Sequence, residues 1–209
     1  MKVGCNDMRL SGELTEGTLL ERLTRFSCLV LVGGREEECH LPNPGRLKEL
    51  LAPGARVTLR KIRSQKRKTR FDLIGVNHRD TLVSVDSRVP NKLFQEAFEK
   101  KAMEEFAAYE SIKPEYRYGG SRVDFLLQGP GKKCLLEVKS CTLVKGGVAL
   151  FPDAVTERGT RHVYELAKAL KEGYRAAVLF IVQRPDAEVF SPNDETDERF
   201  SEALRDAWR

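Results

Sequence analysis

The chain has 209 residues, of which 41% are hydrophobic and 32% charged, a composition that suits one or two globular domains and excludes a disordered or low-complexity chain. No apolar run approaches the ~20 residues needed to span a bilayer and the N-terminus lacks the apolar core of a secretory leader, so a cytoplasmic protein with no membrane partner is expected. The net charge of +5 is uneven, with 16 basic and 10 acidic residues before Asp86 and 20 and 21 from Asp86 onward, so the positive charge belongs to the first part.

Cys5, Cys28, Cys39, Cys134 and Cys141 form no C-x-x-C pair, and the only histidine near any of them at metal-like spacing is the adjacent His40. Buried, reduced thiols are the expectation.

In chain order, residues 14–20, 26–32, 38–41, 55–62, 71–76 and 81–85 read as short strands, with Gly33-Gly34 and Pro53-Gly54 as turns and one short helix over 45–51. Six strands around one helix predict an all-β small barrel of the OB kind over residues 1–85, a fold in which nucleic acid is a frequent ligand. Arg60, Lys61, Arg63, Lys66, Arg67, Lys68 and Arg70 crowd seven basic residues into an eleven-residue window without an acid. Such a run is either a solvated loop or a loop that neutralises phosphates.

After Pro90 the period becomes helical, with Asn91 as the expected N-cap and Phe94, Ala97, Phe98, Ala102 and Phe106 recurring at three- and four-residue steps. This change marks a second domain over residues 86–209, α/β with a mixed central sheet. Glu96 lies beside the apolar stripe of that helix. Two strands follow, at 121–127 and 134–139, joined by the turn Gln128-Gly-Pro-Gly-Lys132. Asp124 interrupts the first between Val123 and Phe125, while Glu137 and Lys139 share one side of the second.

Charge inside an apolar strand is costly unless it is paired or holds an ion. A divalent cation such as Mg2+ or Mn2+ relieves the repulsion of neighbouring carboxylates, and a lysine beside it can stabilise a phosphoryl oxygen. Asp124 and Glu137 as metal ligands, with the Val138 carbonyl and with Lys139 alongside, is the layout of a metal-dependent phosphodiesterase. An edge strand with Glu and Lys on its solvent face would carry the same letters.

A strand over 147–151 and a helix over 153–171 come next, the helix burying Val163, Leu166, Ala167 and Leu170, with Arg158 and His162 four apart beside that stripe. Residues 176–182 are apolar throughout, which predicts a central strand covered on both faces. A short final helix ends at Trp208.

With these segments in hand, the chain resembles the sugar fermentation stimulation protein A family along its whole length. The resemblance is carried by His40-Leu-Pro-Asn-Pro-Gly-Arg46, Pro90-Asn91 with Glu96-Ala97, Ser121-Arg-Val-Asp-Phe-Leu-Leu127, Glu137-Val-Lys-Ser140 with Thr142-Leu143, Phe151-Pro-Asp-Ala-Val-Thr-Glu-Arg-Gly159, His162 and Val182-Gln-Arg184. It implies an N-terminal OB-type domain joined to a restriction-endonuclease-like domain with the PD-(D/E)XK core, DNA binding, and an association with regulation of sugar-utilisation genes. By position, Asp124, Glu137 and Lys139 match the nuclease signature and Glu96 its helix carboxylate. Pro44 departs from the Thr or Ser expected between Asn43 and Gly45, and Val123 stands where the signature's proline would be.

These readings together predict a DNA-binding protein with a Mg2+- or Mn2+-dependent nuclease site formed by Glu96, Asp124, Glu137 and Lys139. Arg46, Arg122, Arg158 and His162 join the basic run as expected phosphate contacts. The alternative is a non-catalytic DNA-binding regulator of sugar metabolism genes. RNA as the ligand, and a homodimer, are both compatible with the sequence.

Overall fold

The computed structural model describes residues 12–64 and 66–208, so Cys5 lies outside the described residues. Six strands open the chain: β1 (Leu14–Arg22), β2 (Ser27–Val32), β3 (Arg35–His40), β4 (Arg56–Lys61), β5 (Phe71–His78) and β6 (Thr81–Ser84). They are ordered β3-β2-β1-β4-β5-β6, and a parallel contact of His40 with Asp72 closes β3 onto β5 as an OB-type barrel. Alternate residues point inward, so Leu19, Cys28, Val30, Cys39, Val57, Leu59, Leu73 and Val76 fill the interior. A bulge between Leu19 and Glu21 bends β1, which pairs with β2 on one side and β4 on the other. Gly17 is required there, because a Cβ would lie 2.6 Å from Val30 Cγ1 and 3.0 Å from the Leu31 carbonyl oxygen.

The helix expected over 45–51 is only a single turn, in which the Leu50 and Leu51 N–H groups donate to the Leu47 carbonyl at 3.0 and 2.9 Å. Leu47 has φ of 50°, a left-handed value that a helix cannot continue through. Asn43 Oδ1 accepts from the Gly45 N–H at 2.8 Å and Asn43 Nδ2 donates to the Val85 carbonyl at 2.9 Å. The turn is thus held by Asn43, and exposed Pro44 removes nothing it uses. Buried Leu47 and Leu50 join the barrel core.

The second part comprises α1 (Val89–Glu99), a 3-10 turn at Glu104–Phe106, β7 (Ser111–Tyr118), β8 (Ser121–Gly129), β9 (Lys132–Cys141), β10 (Leu143–Lys145), β11 (Val148–Phe151), α2 (Glu157–Lys171), β12 (Arg175–Val182), β13 (Val189–Pro192) and α3 (Glu198–Trp208). The main sheet is ordered β12-β9-β8-β7, antiparallel except for parallel β12 and β9, and β10-β11-β13 form a smaller sheet. The expected α/β architecture with mixed sheets is therefore present. Phe94 of α1 packs with Phe125, Leu127, Leu136 and Val138 on one face, while Leu166 and Ala169 of α2 pack with Val123, Leu126 and Leu135 on the other.

Two expectations fail here. β12 is an edge strand of the main sheet, not a central one. Its apolar run arises because Ala177, Leu179 and Ile181 meet the α1 side while Ala176, Val178 and Phe180 meet the α2 and α3 side. The second is Asn91, which lies inside the first turn of α1 and does not cap it, since the helix already begins at Val89-Pro90. Cys28, Cys39, Cys134 and Cys141 are buried free thiols. No helix among the described residues is long and apolar enough to cross a membrane.

Barrel and α/β domain meet through polar contacts. Asp72 on β5, only 1% exposed, takes Arg67 at 2.6 Å and Arg88 at 2.9 Å, and Arg88 also holds Asp86 at 2.7 Å. The Ser84 N–H donates to the Gln183 carbonyl at 3.1 Å and the Leu47 N–H to Asp153 Oδ2 at 3.3 Å. Burial pushes the Asp72 carboxyl up, but Arg67 and Arg88 outweigh it and hold it below the ordinary range. A depressed carboxylate pKa adds stability above the unfolded value of about 3.9, which is lost as the pH falls through the folded value. Asp72→Asn should therefore lower the melting temperature at pH 7 by several degrees and by much less below pH 3, about 2–4 °C corresponding to each kcal/mol lost. An equal deficit at both pH values would show that the ion pairs contribute nothing.

Candidate active site

The β8–β9 ladder runs from Gly129 opposite Lys132 to Phe125 opposite Leu136 and stops. Asp124 and Glu137 are the next residues. Beyond that point β9 continues on β12, with Glu137 opposite Val178 and Lys139 opposite Phe180, while β8 is tethered by a side chain. The Val138 N–H donates to Asp124 Oδ2 at 2.8 Å, and Asn91 Nδ2 of α1 donates to Asp124 Oδ1 at 3.0 Å.

Glu137 is 4% exposed. Its Oε1 accepts from Lys139 Nζ at 2.5 Å and from His162 Nδ1 of α2 at 2.7 Å. Its Oε2 is buried and has no hydrogen-bond partner among the described residues. Burial raises the Asp124 carboxyl and the neighbouring Glu137 charge raises it further, against the pull of Val138, Asn91 and the Lys139 charge. Burial would also raise Glu137, yet His162 and Lys139 hold it below the ordinary range. One carboxylate is thus fully compensated and its neighbour only in part.

This donor set fits a hard divalent cation. Asp124 and the partnerless Glu137 oxygen offer two carboxylate ligands, and among the described residues no group of three or more His, Cys, Asp or Glu is placed to hold a metal ion. Such a cation would complete its shell with backbone, water or substrate oxygens, as Mg2+ commonly does.

The structure brings together Asp124, Glu137 and Lys139. Glu96 makes a salt bridge with Lys100 at 2.6 Å, both side chains about half exposed, and the α1 residue on Asp124 is Asn91. Its mid-turn position next to Pro90 hid it behind the expectation of a cap. His162 does not serve as a phosphate contact, being 2% exposed with both ring nitrogens engaged. Arg158 Nε donates to His162 Nε2 at 3.3 Å. Arg122 pairs with Glu115 at 2.8 Å, and Arg46 is exposed, its carbonyl accepting from Arg22.

Most of the basic run has acidic neighbours: Lys61 and Arg63 hold Glu13, Arg67 holds Asp72, Arg70 lies near Glu37 and Arg60 near Asp86. Exposed Lys66 and Lys68 have no such pairing among the described residues. Glu36 and Glu38 are exposed on β3, which makes that strand unfavourable to an anion.

Comparison with known proteins places these features. The model of the sugar fermentation stimulation protein RE domain matches residues 88–209, and that of the SfsA N-terminal OB domain matches residues 20–85. A sugar fermentation stimulation protein homolog from Alkaliphilus metalliredigens is 47% identical over 200 residues, covering 95% of this chain and 86% of the relative. One from Methanothermobacter thermautotrophicus is 49% identical over 191 residues, covering 91% and 80%. The solved structure of Pyrococcus furiosus SfsA in complex with Ca2+ superposes with a TM-score of 0.90 at 33% identity, covering 96% of this chain and 86% of that one.

A raised carboxylate pKa means that stability is greatest below the unfolded value and falls as the pH rises through the folded one. In chelator at pH 8, Asp124→Asn should therefore melt at or a few degrees above the wild type, because the amide removes a desolvated charge facing Glu137. A drop of several degrees would show that the carboxylate is needed for the fold itself.

Proposed function

The chain belongs to the sugar fermentation stimulation protein family, and from that membership and its buried carboxylates we propose a DNA-binding protein with a divalent-cation-dependent phosphodiesterase site. The observation that carries this reading is the buried, partnerless Oε2 of Glu137 beside Asp124, whose carboxyl is pushed up by burial and by Glu137. A cation relieves both costs at once. The relative from Pyrococcus furiosus, solved in complex with Ca2+, supports it, since Ca2+ and Mg2+ both take oxygen ligands.

In this reading residues 1–85 grip the nucleic acid and residues 86–209 carry the chemistry. Asp124 and Glu137 Oε2 hold Mg2+ or Mn2+. When bound, the ion lowers the pKa of water and sets positive charge against the phosphoryl oxygens. Asn91 and the Val138 N–H fix the Asp124 carboxylate so that it does not swing away from the cation. Lys139 uses one of its three N–H donors on Glu137 and keeps two for a non-bridging phosphate oxygen. Lys66 and Lys68 supply screened contacts to the backbone of the strand.

Cleavage of single- and double-stranded DNA and RNA with Mg2+ and then Mn2+ tests the chemistry. Lys139→Met should lower it on the order of a hundredfold with little change in affinity. A wild type inert on every substrate but still binding DNA would leave the non-catalytic regulator. With a cation at a hundred times its Kd the wild type should melt roughly 5–10 °C higher, and Asp124→Asn should not shift. Replacing Lys66 and Lys68 by Ser should flatten the slope of log K against log salt by roughly 0.9 for each lost contact on duplex DNA. An unchanged slope would return the run to a solvated loop.

A further inference from the structure

Resting on the cation site proposed above, the geometry points to Arg158 and His162 as a positioning pair that turns Glu137 so that its free oxygen faces the cation. A glutamate carboxylate rotates easily about its last torsion. Here two donors, Lys139 Nζ and His162 Nδ1, converge on the same oxygen, Oε1. That arrangement pins the rotation and commits Oε2 to the cation, since it has no other partner among the described residues.

The ring's hydrogen-bond sense follows from its other neighbour. Arg158 Nε can only donate, so His162 Nε2, 3.3 Å away, accepts. A ring proton then sits on Nδ1 and donates to Glu137, which completes the chain from Arg158 to Glu137. With the proton on Nε2 instead, two donors would face each other and Nδ1 would present a lone pair to a carboxylate. A carboxylate partner fixing a histidine's tautomer is a familiar arrangement around metals, with the order of residues here reversed: the carboxylate is the ligand and the histidine stands behind it.

The backbone is built for this reach. Thr156 caps α2, its Oγ1 accepting from the Gly159 N–H at 3.1 Å. A Cβ at Gly159 would lie 2.8 and 2.9 Å from Thr156 side-chain atoms and 3.3 Å from the Phe200 ring. Glycine there leaves room for the Thr156 cap, with the Phe200 ring of α3 close by. The capped turn carries His162 toward the sheet, and Arg158, four residues earlier, reaches the ring at its Nε2. His162 is 2% exposed and acts through Glu137, without touching the substrate.

The test uses calorimetric titration with Mn2+ and with Ca2+ on the full chain, melting curves in chelator, and nitrogen NMR of the imidazole. His162→Leu keeps apolar volume and removes the donor, so both ions should bind on the order of 10–100-fold more weakly. His162→Asn places an amide N–H near the position of Nδ1 and should recover most of that loss. Arg158→Met, on the solvent side, should weaken binding several-fold without a melting shift that would signal misfolding, and it decides the matter if His162→Leu does not fold. In the cation-free wild type the imidazole proton should be on Nδ1. Unchanged affinity in both His162→Leu and Arg158→Met, or a proton on Nε2, would overturn the positioning role alone. A wild type that takes up neither ion would sink the cation reading and this one with it.

Discussion

The hydrogen bond from the Val138 N–H to Asp124 holds β8 to β9 past the end of their ladder. A regular ladder there would set Asp124 and Glu137 directly opposite each other with their backbones paired. Instead a side chain replaces one strand's carbonyl. The substitution keeps β9 on β12, lets β8 peel away, and leaves two carboxylates at the point of separation. The rest of the α/β domain is arranged around that point, with α1 supplying Asn91 from one side and α2 supplying His162 from the other.

Burying two acids together is expensive, and the protein offsets only part of the cost. Glu137 receives a lysine and a histidine on one oxygen, enough to keep it ionised despite burial. Asp124 is hydrogen-bonded only by neutral donors, and with the Lys139 charge acting on it as well its carboxyl still stays raised. A fold selected for stability alone would match both charges or remove both. Uneven compensation is what the proposed cation site requires, and departures from local rules concentrate at functional sites.

Much of this could be read from the chain because a strand's period is two and charge in an apolar strand stands out. Asp124, Glu137 and Lys139 were visible for that reason. Asn91 was not, since Asn after Pro at a helix start reads equally as a cap. His162 was placed beside Arg158 by helical spacing, but spacing along one helix does not say whether a ring points to solvent or into a neighbouring sheet. The basic run looked unopposed because its partners Glu13, Glu37, Asp72 and Asp86 lie outside its window. Residues 176–182 looked central because apolarity reports covered faces, whereas an edge is defined by missing backbone partners.

The same long-range pairing ties the two halves of the proposed function into one frame. Arg67, in the basic loop, bonds to Asp72 of the barrel, and the other oxygen of Asp72 bonds to Arg88 at the threshold of α1. Three residues on, still within the first turn of that helix, Asn91 bonds to Asp124. A helix turn is stiff, so the root of the loop and the site carboxylate are related by three polar contacts and one rigid element. What this continuity fixes is orientation, and it requires no switching between states. A strand held at Lys66 and Lys68 would meet the α/β domain in a direction set by Asp72, which gives this buried aspartate a reason to sit on the barrel wall with two arginines while most of the barrel interior is apolar.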